Sequence, residues 1–214
     1  MGKGFGKKEM MQNGIRGTMA VWPVIFDLLG DAKLILDVGC GEHVWSYKGA
    51  VIKRCDNNQD YRDRSGPLVG CRNVDLNGKW PYSDDRFDTV VAADVIEHLE
   101  NPWHFFREAT RVATKSVIVS TPNVESVMSK KMFSRTGFLW GFNRSERENS
   151  HHIMPIFLWQ VKKAIKDVGW DVGVIKKVSL PVPKRRAARL SIADVACQKG
   201  NERWLLAMAV PRSR

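Results

Sequence analysis

The residues best suited to chemistry lie in two places: the run Asp94-Val95-Ile96-Glu97-His98, and the pair His151-His152 well downstream. On a helix, Asp94, Glu97 and His98 are three and four positions apart and share one face. Carboxylates and imidazoles exchange protons near neutral pH, so Asp94, Glu97, His98, His151 and His152 are the candidates for a general base. Folding the later segment back would bring His151 or His152 to Asp94, Glu97 and His98. Two carboxylates and two imidazoles are a donor set suited to a divalent metal.

A second set lies in "KLILDVGCGEHVWSYKGAVIKRCDN" (Lys33 to Asn57), where an apolar run enters the turn Gly39-Cys40-Gly41. Glycines there let backbone approach a ligand at the carboxyl end of a strand. A pyrophosphate fingerprint needs a third glycine, and the residues after Gly41 are Glu42, His43, Val44, Trp45 and Ser46, which disfavours a dinucleotide. Acids follow three successive apolar runs: Asp37, Asp56 and Asp75. A carboxylate at the second strand end suits ribose hydroxyls, and one after the third suits an exocyclic amine. Taken singly, each is an ordinary strand-end cap. Three in ordered register point to one crevice and a nucleoside without phosphate. His43 is either a ligand contact or a partly exposed loop residue.

Positioning these groups requires a sheet. The runs Lys33–Val38, Ala50–Cys55, Leu68–Val74, Asp88–Ala93 and Ser116–Thr121 are short and β-branched without strict alternation, as strands buried on both faces are. Between the last two, "VIEHLENPWHFFREATRV" has helical periodicity, with Asn101-Pro102 as a restart. Such crossovers imply a parallel, doubly wound sheet. The long polar and aromatic stretch at about 122–157 reads as a lid or substrate insertion. A helix over Leu158–Val168, ended by Gly169, leads to the strand "WDVGVIKKV", a basic loop "PVPKRRAAR" and a last strand "RWLLAMAV".

At 214 residues the chain suits one substantial core, organised as an arm and helix over 1–30 and a main domain over 31–214. Cys40, Cys55, Cys71 and Cys197 form no C-x-x-C pair, which fits free thiols in a reducing cytoplasm. The start lacks the apolar core of a signal peptide, and "MAVWPVIFDLLG" is too short and interrupted to span a bilayer. Of the net charge of +11, Lys162 to Arg214 contributes thirteen Lys/Arg against four Asp/Glu, or +9. That basic C-terminal region, and its loop Pro183–Arg189 above all, could meet nucleic acid. The plainer alternative is a solvated basic face.

The chain resembles the class I S-adenosylmethionine-dependent methyltransferases, particularly the small-molecule and glycan branch. The resemblance rests on "DVGCG", then "DLNGKWPYSDDRFDTVVAADVIEHLENP", then "VIVSTPN", and covers Leu34 to Val178, with Trp204 to Val210 fitting the family's last strand. It implies a Rossmann-like doubly wound α/β sheet, mostly parallel with an antiparallel last strand, and S-adenosyl-L-methionine as cofactor. Asp37, Gly39 and Gly41 would line the methionine end, Asp56 would bind the ribose, and Asp75 with Leu76 would frame the adenine. Asp94 would lie near the methyl group and the acceptor. Two departures stand out: His43 occupies a usually small position, and only fourteen residues separate Gly41 from Asp56, so the first helix must be short or irregular.

Methyl transfer from a sulfonium is an in-line displacement that positioning alone can accelerate. Where the acceptor needs a base, Asp94, His98, His151 and His152 are the expected catalytic groups. The expected reaction is transfer to a hydroxyl or amine of a small molecule or glycan, without a metal, because a Glu-His pair is common in that branch without one. The chain is also similar to the small-RNA 2′-O-methyltransferases, which pair "E-x-x-E-H" with a later histidine and carry "TPN-x-E", matched by Thr121, Pro122, Asn123 and Glu125. Asp94 stands there in place of a glutamate. That similarity implies the alternative of an RNA-directed, metal-assisted enzyme using Asp94, Glu97, His98 and His152. A further alternative is a non-catalytic cofactor- or nucleic-acid-binding module. The insertion aromatics Phe138, Trp140 and Phe142 could stack on bases or pack on the core.

Overall fold

The computed structural model describes residues 20–41, 44–58, 71–142, 151–179 and 202–212. Seven strands form one sheet: β1 (Leu34–Val38), β2 (Val51–Cys55), β3 (Cys71–Arg72), β4 (Phe87–Ala93), β5 (Ala113–Pro122), β6 (Trp170–Val178) and β7 (Trp204–Pro211). The helices are α1 (Trp22–Leu28), α2 (Pro102–Val112), α3 (Val127–Thr136) and α4 (Leu158–Asp167), with a short 3-10 turn at Ile96–His98. The spatial order is β3-β2-β1-β4-β5-β7-β6. The first five strands are mutually parallel, and β7 runs antiparallel to both β5 and β6. This is the doubly wound α/β sheet the sequence predicts, with β7 inserted between β5 and β6.

The central strands alternate between two cores. Leu36, Val38, Val90, Ala92, Val117 and Val119 pack against α2 and α4. Ile35, Val91, Ile118 and Leu206 face the other way, against α1, Trp45 and Tyr47. Burial on both faces explains why these strands read as continuous apolar runs.

Among the described residues no helix connects β1 to β2. Aromatic side chains fill that layer: Trp45 meets Trp22 at 4.9 Å and Phe26 at 5.8 Å between ring centroids, and Phe26 stacks on Tyr47. The short connection is thus compensated by volume. β3 ends earlier than Val74: its described part is Cys71–Arg72, and 68–70 lie outside the described residues. β5 is longer, starting at Ala113 directly after α2. The restart at Asn101-Pro102 is present, the Asn101 side chain accepting from the His104 N–H at 3.0 Å. The arm before residue 20, His43, Cys197 and the basic loop Pro183–Arg189 lie outside the described residues.

Candidate active site

The glycine turn is built where β1, β2 and β4 end together. Gly39 and Gly41 adopt left-handed backbone, φ +62° and +55°. The Gly39 and Cys40 N–H groups donate to the Cys55 carbonyl at 2.8 and 3.2 Å, fastening the turn to β2. Asp56 continues the attachment: its carboxylate accepts from the Gly41 N–H at 2.9 Å and from the Asn58 N–H at 2.8 Å. Gly39 also packs face-on against β4's exit, because a Cβ there would lie 2.6 Å from Val95 Cγ2. Beyond β3, Asp75 caps a turn by accepting from the Asn77 N–H, while Leu76 is buried.

Asp37 has a different environment. Its carboxylate is buried, accepts from the Trp45 indole at 2.6 Å and lies 3.9 Å from Arg54 Nε. Burial pushes its pKa up to about 7, against the pull of Trp45 and Arg54. The Arg54 guanidinium in turn donates to the Trp45 carbonyl at 2.6 Å. Asp37 therefore ties the aromatic layer to the strand beneath the turn.

Asp94 sits at the end of β4 with φ +55°. Ser120 Oγ donates to one carboxylate oxygen at 2.6 Å and the Trp204 indole to the other at 2.9 Å. Because the left-handed residue precedes a 3-10 turn rather than opening an α-helix, Asp94, Glu97 and His98 do not share a helical face. That expectation is corrected. Ser120 and Trp204 come from β5 and β7, and nothing in local spacing linked them to Asp94. An indole N–H at the start of a buried strand, needing an acceptor, was the one available signal.

The second group does assemble. The Ile153 and Met154 N–H groups donate to the Glu97 carbonyl at 3.0 and 3.1 Å, folding the histidine segment onto the 3-10 turn. His152 enters the cluster; its ring lies 4.7 Å from that of His98. His151 is exposed and contributes its carbonyl, 3.3 Å from His98 Nδ1. Glu97, His98 and His152 each offer a ligand atom, all within 4.8 Å of one another, while Asp94 is outside this set.

Glu97 is fully buried; neither carboxylate oxygen meets strict hydrogen-bond geometry, and the Thr121 hydroxyl, itself otherwise unpartnered, is the side chain near enough to favour its charged form. Burial, and then the negative field of Asp94, raise its pKa well above the usual range. His152 Nδ1 is 2.6 Å from the Gly141 carbonyl, which it can meet only as a donor. Its Nε2 lies 4.0 Å from Glu97 Oε1. Burial and the neighbouring His152 lower the His98 pKa to about 4, so its ring is neutral at physiological pH. Two imidazoles and one buried carboxyl are the donor chemistry of a first-row divalent cation.

Residues 36–120 match the family model described as a methyltransferase domain. That matched segment runs from β1 into β5 and takes in the glycine turn and Asp94. The cofactor is S-adenosylmethionine, and the chain is an enzyme of the transferase class. No curated protein matches the methyltransferase significantly in sequence. Solved structures share its fold at low identity. An S-adenosylmethionine-dependent methyltransferase from Archaeoglobus fulgidus is 15% identical with a TM-score of 0.61, covering 90% of this chain and 92% of that one. A second, from Mesorhizobium loti, is 17% identical with a TM-score of 0.60, covering 89% and 97%. A third, from Aquifex aeolicus, is 14% identical with a TM-score of 0.56, covering 97% and 100%. Among the described residues no helix is long and apolar enough to cross a membrane.

Proposed function

We propose that this methyltransferase methylates an acceptor hydroxyl, and that Glu97, His98 and His152 hold a divalent cation beside the transfer position. One observation carries the reading: a fully buried carboxyl with only the Thr121 hydroxyl near it lies 4.0 Å from Nε2 of His152, whose Nδ1 is held by the Gly141 carbonyl. A buried carboxylate without a cation beside it is costly, and a ligand from outside the chain relieves that cost. A bound cation would lower the pKa of a coordinated hydroxyl and fix its oxygen in place. The protein's own part is to exclude water around Glu97, to keep the His98 ring neutral, and to hold Asp94 near the acceptor through Ser120 and Trp204.

For the cofactor, the turn Gly39–Gly41 gives backbone access to the methionine end, and Asp56, at the end of β2 beside that turn, takes the ribose hydroxyls. Asp75 and Leu76 border the adenine position, and Asp94 borders the methyl group. Asp37 supports the turn from beneath, and His43 adjoins it in sequence. The free thiols of Cys40, Cys55 and Cys71 support a reducing, cytoplasmic setting.

The test is metal content. The purified chain, dialysed against manganese and then against metal-free buffer, is expected to retain about one ion per chain. Glu97→Gln and His152→Ala should each lose it, while both variants still bind S-adenosylmethionine by calorimetry and Asp56→Ala does not. Absence of stoichiometric metal in the wild type, or methyl transfer that survives exhaustive chelation, would overturn the metal reading.

A further inference from the structure

From Val127 to Phe142, the stretch that carries α3, the sequence has Lys130, Lys131 and Arg135 and no acidic residue. All three cations are exposed, and at helical spacing they share one face of α3 with Val127 and Ser134. Phe133 flanks that face and is 53% exposed; Phe138, just past the helix, is 36% exposed. The opposite face is fastened to the protein. Ser129 is buried, its N–H is capped by Ser126 Oγ at 3.1 Å, and its own hydroxyl accepts from the Trp140 N–H at 3.0 Å.

That fastening joins α3 to the rim of the site. Trp140 packs edge-on against Trp204, which bonds Asp94, and the next residue, Gly141, bonds His152. The Arg203 guanidinium lies over the Trp140 ring at 5.8 Å, adding a fourth cation along the same rim.

We infer that α3 is a docking surface for a single-stranded nucleic acid, which delivers the acceptor to the site. This rests on the hydroxyl-methylation reading only for what the strand is delivered to. Charge complementarity selects the occupant: closely spaced Lys and Arg neutralise successive phosphates, and the exposed rings beside them, Phe133 on the flank and Phe138 past the helix end, stack on unpaired bases. A membrane-surface helix would instead separate its apolar face from its charged one, and here the face opposite the charges packs on the protein. A duplex hides the bases that Phe133 and Phe138 would stack on.

The experiment is fluorescence anisotropy with a labelled single-stranded RNA oligonucleotide, without cofactor or metal, across a salt series. Wild type is expected to bind with a steep salt dependence. Lys130→Glu combined with Lys131→Glu should weaken binding by roughly tenfold or more and lower the salt slope by about two. Phe133→Ala should weaken it roughly tenfold with the slope unchanged. All these residues are exposed, so circular dichroism and calorimetric S-adenosylmethionine affinity should match wild type. Absence of binding, equal binding by the charge-reversed variant, equal preference for duplex, or capture only by phosphatidylserine vesicles would each overturn the assignment. Metal content is read separately, so the two readings fail independently.

Discussion

Gly39 and Gly41 occupy one turn and share one backbone class, yet alanine at the two positions should cost different amounts. Both residues are left-handed, and an L side chain in that region costs about 1–2 kcal/mol. At Gly41 nothing lies within 4 Å of an added Cβ, so that strain is the whole effect. At Gly39 the Cβ would meet Val95 Cγ2 at 2.6 Å and Cγ1 at 3.1 Å. Val95 is buried in the core that also holds Leu36, Val38 and Ile96, and overpacking such a site adds about 1–3 kcal/mol. Gly41→Ala should therefore lose about 1–2 kcal/mol and Gly39→Ala about 2–5 kcal/mol. Urea denaturation measures this as a fall in midpoint at unchanged slope. Equal losses, or a larger loss at Gly41, would refute the account of how the turn packs against β4's exit.

Asp37 predicts a pH effect. Its folded pKa of about 7 exceeds the ordinary 3.8, so the folded state binds the extra proton between those values and stability falls as pH rises through that window. Asp37→Asn keeps an acceptor for Trp45, and should gain about 4 kcal/mol relative to wild type between pH 4 and pH 8, read from denaturation at each pH. A difference that does not change with pH would exclude a neutral Asp37. Arg111 predicts a network effect: it grips Glu108 at 2.6 and 3.0 Å, Asp84 at 2.7 Å, and the carbonyls of Trp80 and Tyr82. Arg111→Ala leaves the buried Glu108 carboxylate with the Trp80 N–H but no cation and should cost about 3 kcal/mol, part of which Glu108→Gln restores in the double variant. Simple additivity of the two changes would contradict that coupling.

The sheet was legible because its strands are buried on both faces, which gives runs such as Leu34–Val38 and Phe87–Ala93 a composition that local context does not disguise. The α2 start was legible through Asn101-Pro102, a capping signal confined to neighbouring residues. What local pattern could not carry is long-range partnership. The substitution of Trp45 for a helix layer depends on Trp22 and Phe26, and the orientation of Asp94 depends on Ser120 and Trp204. The helical reading of Asp94 to His98 failed for a related reason: one left-handed residue resets the face, and a non-glycine there carries no sequence signature. His152 rather than His151 enters the cluster because the backbone pairs 153 and 154 with Glu97, a register adjacent histidines do not disclose.

Three buried carboxyls contrast in how the fold treats them. Glu108 has Arg111 and the Trp80 N–H, and its pKa is held below the usual range. Asp37 has Trp45 and Arg54, and its remaining burial cost appears as a raised pKa. Glu97 is deeper than either and has no cation beside it, only the Thr121 hydroxyl, and its pKa is raised well above the usual range. Sequences are generally consistent across levels, and exceptions concentrate where a site must stay ready for something external. A hydrophobic residue at position 97 would fill the same volume at lower cost, so the uncompensated carboxyl is a burden on stability that makes physical sense only with a ligand to relieve it. That imbalance supports a cation at Glu97, His98 and His152 more directly than spacing does, because spacing alone also grouped Asp94 with them and geometry separates it.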